Sequence, residues 1–278
     1  INDRNGFTRL LEGSRRAVAG LAGATIGVAP HSLRAATPEE LGFVTALLPD
    51  APVHMHIAEQ MKEVDDSLAW SGQRPVEWLL DHAAVDRRWC LIHATHMTEA
   101  ETERLARTGA VAGLCPLTEA SLGDGTFNGP EWTGAGGAWG VGTDSNILVG
   151  LAAELRQLEY AQRLRQRLRN VLADREGAST GRSLFDAALA GGAQALGVAA
   201  PAIAAGKPAD IVGLDASHPS IAYRHGDAIL DGWIFAADRG AVASVWIGGK
   251  EAVREGRHIA RDAIETRFKT TLARLLAL

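Results

Sequence analysis

The sequence predicts an α/β protein, with parallel strands linked by helices and a small β-domain after them, and three observations point there. Short β-branched or apolar runs alternate with helical patterns over the first two-thirds of the chain. The helix starts between those runs carry recognisable caps. From Gly206 onward the texture changes to short strands broken by a double-glycine turn.

Taken in order, residues 6–19 form an amphipathic stretch that predicts a helix and leads into a first strand at 24–29. Further strands are expected at 53–57, 89–93, 110–115 and 139–143, five in all. Thr37, Pro38 and Glu40 supply a cap, an N1 proline and a capping-box glutamate, and Thr98 with Glu101 repeats the box. Gly109 fits a helix stop. A long helical pattern covers 151–174, a second covers 183–196 ending at Gly197, and a last one covers 263–276. Strands at 211–214, 242–247 and 251–254, with Gly248-Gly249 between the last two, read as a hairpin-bearing β-segment. Parallel strands with crossover helices make an open sheet or a barrel, and spacing alone does not separate them.

Composition narrows the function. The 278 residues are 46% hydrophobic and 22% charged, enough for a sizeable core. The formal charge of −5 gives no footprint for nucleic acid or an anionic membrane, so a small neutral or acidic metabolite fits better. Arg163, Arg165, Arg167 and Arg169 stand two apart, do not share a helix face, and read as a solvated helix. Cys90 and Cys115 make no disulfide framework, which suits a reducing cytoplasm. No apolar run approaches the roughly 20 residues that span a bilayer. The glycines from Gly134 to Gly140 are out of register for a phosphate loop and predict a flexible connection into a strand.

Six of the nine histidines fall between positions 31 and 96, and of these His31, His54, His56, His93 and His96 stand mostly at or beside a predicted strand end. In a parallel α/β protein those ends face a common mouth, and imidazole is the commonest protein ligand for zinc. His56 and Glu59 stand three apart at one such end, a pairing that suits a metal ligand and a proton carrier if a closed pocket raises the glutamate's pKa toward neutrality. His54 shares a strand face with His56 and is a second ligand or, the favoured reading, an interior filler. His93 ends the next strand, and Asp144 ends the last, where a carboxylate can bind a metal and take a proton from water.

This constellation resembles the amidohydrolase superfamily, whose (β/α)₈ barrel carries its metal ligands on strand ends. The resemblance implies that His56 and Asp144 are metal ligands for one Zn²⁺ per site, that Glu59 and His93 are catalytic with Asp144, and that the five expected strands are barrel strands four to eight. Residues 206–212 resemble the exit into the family's composite β-sandwich, implying a partial barrel at 1–204, sandwich strands at 205–260 and a terminal helix at 261–278. Pro30-His31-Ser32-Leu33-Arg34 and the stretch from Cys115 to Gly125 are most similar to the branch that hydrolyses formiminoglutamate in histidine degradation. There His31 and Arg34 would bind substrate, Arg34 clamping a carboxylate. The resemblance also suggests a homodimer. Because the chain starts at Ile1 and five strands are too few for the barrel, it reads as the C-terminal portion of a longer enzyme of this kind. The rivals are a deaminase of a ring amine and a catalytically incomplete binding or structural remnant that lacks the barrel's first His-x-His pair.

Overall fold

In the computed structural model, residues 3–145, 148–199, 201–237 and 239–277 are described. The chain divides into two compact units, 1–200 and 201–278. The first contains α1 (Arg4–Val18), α2 (Pro38–Ala46), β1 (Val53–Ile57), α3 (Met61–Ser71), α4 (Pro75–His82), β2 (Trp89–His93), α5 (Glu99–Arg107), β3 (Val111–Leu114), α6 (Pro116–Leu122), α7 (Gly129–Gly134), β4 (Ala138–Val141), α8 (Leu151–Gln166) and α9 (Thr180–Ala195). Its four strands form one parallel sheet in the order β1-β2-β3-β4. Parallel strands need helical crossovers and cover on their faces, and all four residues of β3 are accordingly buried.

Local chemistry sets the helix starts. At α2 and α5, Thr37 and Thr98 accept the N3 backbone N–H while Glu40 and Glu101 reach back, as the capping boxes require. Helix α9 approaches β4 so closely that a Cβ on Gly191 would lie 1.9 Å from the Trp139 carbonyl oxygen, so only glycine fits there. Its last residue, Ala195, offers its carbonyl to His54 Nε2 at 2.8 Å, which makes His54 an interior filler.

Three expectations are corrected. The strand expected at 24–29 is reduced to a single parallel bridge between Val28 and Val53. Pro30 and Pro52 flank that bridge and have no N–H to extend a ladder. The helix expected to reach residue 174 stops at Gln166, with Arg167 left-handed. Buried Glu159 takes the backbone N–H groups of Val171 and Leu172 at 2.9 and 3.0 Å and folds the chain back on the helix. The glycine-rich connection is a tight joint: Gly134 ends α7, and a Cβ on Gly137 would lie 2.3 Å from the Trp132 indole. The arginines of α8 are also spoken for, Arg163 by Glu159 and Arg165 by the Thr126 and Phe127 carbonyls and Asn128.

The second unit contains β5 (Ile211–Leu214), α10 (Ala228–Asp231) running into a π-helical turn at Gly232–Ala236, β6 (Val242–Ile247), β7 (Lys250–Arg254), β8 (Arg257–His258) and α11 (Arg261–Leu276). The strands pair antiparallel in sequence order. Gly248 and Gly249 both have positive φ, 56° and 77°, the requirement of a tight primed hairpin turn. No helix among the described residues is long and apolar enough to cross a membrane.

Candidate active site

The expected site residues lie at the C-terminal ends of the parallel strands, where the backbone leaves its regular form. His31, Ala58, His93, Ala94 and Asp144 all have positive φ, between 39° and 69°. Non-glycine residues held in this region cost energy and cluster at functional sites. The left-handed Ala58 turns Glu59 back over the strand ends. Buried Glu63, in the first turn of α3, clamps that turn by accepting the Ala58 N–H at 3.0 Å and the Glu59 N–H at 2.9 Å.

Around this turn the side chains converge. His93 is fully buried, with Nε2 3.8 Å from Glu59 Oε1 and 4.0 Å from Asp144 Oδ2. The His56 ring lies between its neighbours, with centroids 5.1 Å from His31 and 5.7 Å from His93. Its Nδ1 donates to the His31 carbonyl at 2.9 Å, leaving Nε2 as the ring's lone-pair nitrogen. His31 Nδ1 pairs with the Ser32 hydroxyl at 2.8 Å. Arg34 donates from Nη2 to Glu59 Oε2 at 2.6 Å and sits 3.9 Å from Glu63. All six expected residues, His31, Arg34, His56, Glu59, His93 and Asp144, therefore belong to one neighbourhood. Asn146, two residues after Asp144, lies outside the described residues.

The electrostatics correct one expectation. Burial alone would raise the Glu59 carboxyl, but the Arg34 hydrogen bond and the positive charges of His93, Arg34 and His56 outweigh it, so the group is held below the usual carboxylate range. For His93 burial favours the neutral ring, but Glu119, Glu59 and Asp144 together raise its pKa.

Glu63 and Glu119 escaped the sequence reading. Each is a buried carboxylate in a helix turn that follows a strand end, a placement visible only once those helices are fixed. His96 points elsewhere and pairs with the Asp124 carbonyl, while Gln60 donates to the Asp124 carboxylate at 2.9 Å.

Among the described residues no group of three or more histidine, cysteine, aspartate or glutamate side chains is poised around one metal position. The donor chemistry nonetheless fits a zinc ion: His56 is oriented through its second nitrogen, Asp144 is an oxygen donor, and buried His93 Nε2 has no hydrogen-bond partner.

Behind the site, Glu154 of α8 accepts the Leu117 N–H at 2.9 Å through one oxygen, while the other is buried without a partner. Burial, reinforced by the charge of Glu119, pushes its pKa up to about 7 from 4.5. A raised carboxyl pKa favours the folded state when protonated, so stability falls as pH rises from about 4.5 through about 7. At roughly 1.4 kcal/mol per unit that is about 3 kcal/mol. Glu154→Gln is expected to be close to wild type in urea midpoint at pH 5 and to exceed it at pH 8; equal differences at both pH values would contradict this.

Residues 7–252 match the amidohydrolase family, and the chain belongs to it. It is 48% identical to the formimidoylglutamate deiminase of Pseudomonas aeruginosa over 99% of this chain and 61% of that protein. Two solved structures are similar throughout. An amidohydrolase from Brucella melitensis superposes with a TM-score of 0.95 at 58% identity, over 99% of this chain and 61% of that one. An adenosine deaminase from Xanthomonas campestris with bound zinc does so with a TM-score of 0.87 at 26% identity, over 99% and 62%. The chain thus spans about three-fifths of the length of these relatives.

Proposed function

We propose that this chain carries catalytic strand ends of a zinc-dependent hydrolase that converts N-formimino-L-glutamate to N-formyl-L-glutamate and ammonia, a step of histidine degradation. The observation that carries the reading is the convergence of Glu59, His93 and Asp144 from the ends of β1, β2 and β4, with Arg34 bonded to Glu59. The likeness to the Pseudomonas aeruginosa deiminase supports the choice of substrate. On this reading β1 to β4 are strands five to eight of a (β/α)₈ barrel, with the Val28 bridge at the position of strand four. Residues 1–204 then belong to the barrel, 205–260 to a composite β-sandwich and 261–278 to a closing helix.

His56 and Asp144 would hold the zinc, with further ligands from outside these residues. Bound there, the metal supplies the Lewis acidity that brings the ionisation of water near neutral pH. Asp144 takes the proton of the water that attacks the formimino carbon. His93, through Nε2, steadies the charge that develops on the attacked group. Glu59 delivers a proton to the departing nitrogen, and ammonia leaves. Arg34 and His31 orient the substrate, Arg34 through a carboxylate. Drawing Arg34 from Glu59 to the substrate removes one of the interactions that hold the Glu59 carboxyl low, which moves its pKa upward, the direction a proton donor needs.

Ammonia release by the natural full-length protein tests the assignment across N-formimino-L-glutamate, adenosine and other ring amines. The formimino substrate is expected to exceed the ring amines in kcat/KM by about 10²-fold or more. Turnover of a ring amine without turnover of formiminoglutamate would move the protein to another branch of the family.

A further inference from the structure

Glu119 is 5% exposed and lies in the helical turn after β3, yet it is bonded into the site. One of its oxygens, Oε1, accepts the Cys115 backbone N–H at 2.8 Å and faces His93 Nδ1 at 3.2 Å. An oxygen already occupied by a backbone N–H acts as an acceptor, so the proton of the second bond belongs to the imidazole. Neutral His93 then keeps its proton on Nδ1 and turns a lone pair on Nε2 toward the site; charged His93 turns an N–H there. Nε2 is the buried atom without a partner, and it faces the gap between Glu59 Oε1 and Asp144 Oδ2. A buried polar nitrogen left unpaired is costly unless something else meets it.

We propose that Glu119 is a positioning residue, which fixes the tautomer and ring orientation of His93 so that Nε2 addresses the reacting group. The role given to His93 rests on the function proposed above; the tautomer does not. Turn geometry supports the assignment. Cys115 precedes Pro116, which donates no N–H, and Glu154 accepts the N–H of Leu117, so Glu119 and Glu154 brace successive donors of one turn from inside the protein.

The test uses the natural full-length, zinc-loaded protein. Glu119→Leu is expected to lower kcat by 10- to 100-fold with KM within about twofold and zinc content unchanged. Glu119→Gln keeps an acceptor oxygen and is expected to recover most of the loss. In wild type labelled with ¹⁵N-histidine, the signals lost in His93→Gln should mark Nδ1 as the protonated nitrogen. Wild-type kcat in Glu119→Leu, a glutamine variant as impaired as the leucine one, or a neutral His93 with its proton on Nε2 would overturn the proposal. If the wild type does not release ammonia from formiminoglutamate, the substrate reading fails, and the tautomer measurement still decides the part played by Glu119.

Discussion

Replacing Arg34 by methionine is expected to reduce kcat/KM for N-formimino-L-glutamate by roughly 10²-fold, as follows from losing charged hydrogen bonds worth about 1.5–3 kcal/mol to a substrate carboxylate. A neutral side chain of similar length keeps the packing and removes the fork of donors. The substitution also frees Glu59 from its 2.6 Å partner, so its carboxyl rises. A general acid whose pKa rises keeps its proton to higher pH, and the basic limb of the kcat/KM profile should move upward. Unaltered ammonia release would remove Arg34 from the substrate site, and a profile that moved downward would contradict its hold on Glu59.

The second large effect is expected at His56. With Nδ1 donating to the His31 carbonyl, the ring has one nitrogen to give a metal, and that orientation is set by the backbone rather than by a mobile side chain. Removing a direct ligand should exceed the 10- to 100-fold loss typical of an outer partner. His56→Ala is therefore expected to retain only traces of zinc after dialysis and to lose ammonia release with it. A wild-type zinc content in this variant would rule out the metal site drawn on β1 and β4.

Much of the sheet was legible because parallel buried strands are short apolar runs between marked helix starts, as at Val53–Ile57 and Trp89–His93. Local caps such as Thr37 with Glu40 were legible for the same reason, since their partners are close in sequence. What misled was chemistry set by distant neighbours. The run at 24–29 looks like a strand, but whether it joins a ladder depends on its neighbour, and Pro52 stands where a donor is needed. The helical periodicity beyond Gln166 is overridden by Glu159, which captures two backbone N–H groups 12 and 13 residues away. In the site, His56, Glu59, His93 and Asp144 were visible as polar residues ending strands. Their supports, Glu63 and Glu119, look like ordinary helix glutamates until the fold shows which amides and which imidazole they meet. The partner that holds the Glu59 carboxyl low was not legible, because Arg34 lies 25 residues away in sequence and 2.6 Å away in space.

The most direct measurement is ammonia release from N-formimino-L-glutamate by the natural full-length protein, before and after removal of its metal by a chelator, with the organic product identified. Stoichiometric ammonia and N-formyl-L-glutamate from the metal-loaded protein, lost on chelation and restored by zinc, is the expected result. Undiminished turnover by protein free of metal, or a metal-loaded protein that leaves formiminoglutamate intact, would contradict it.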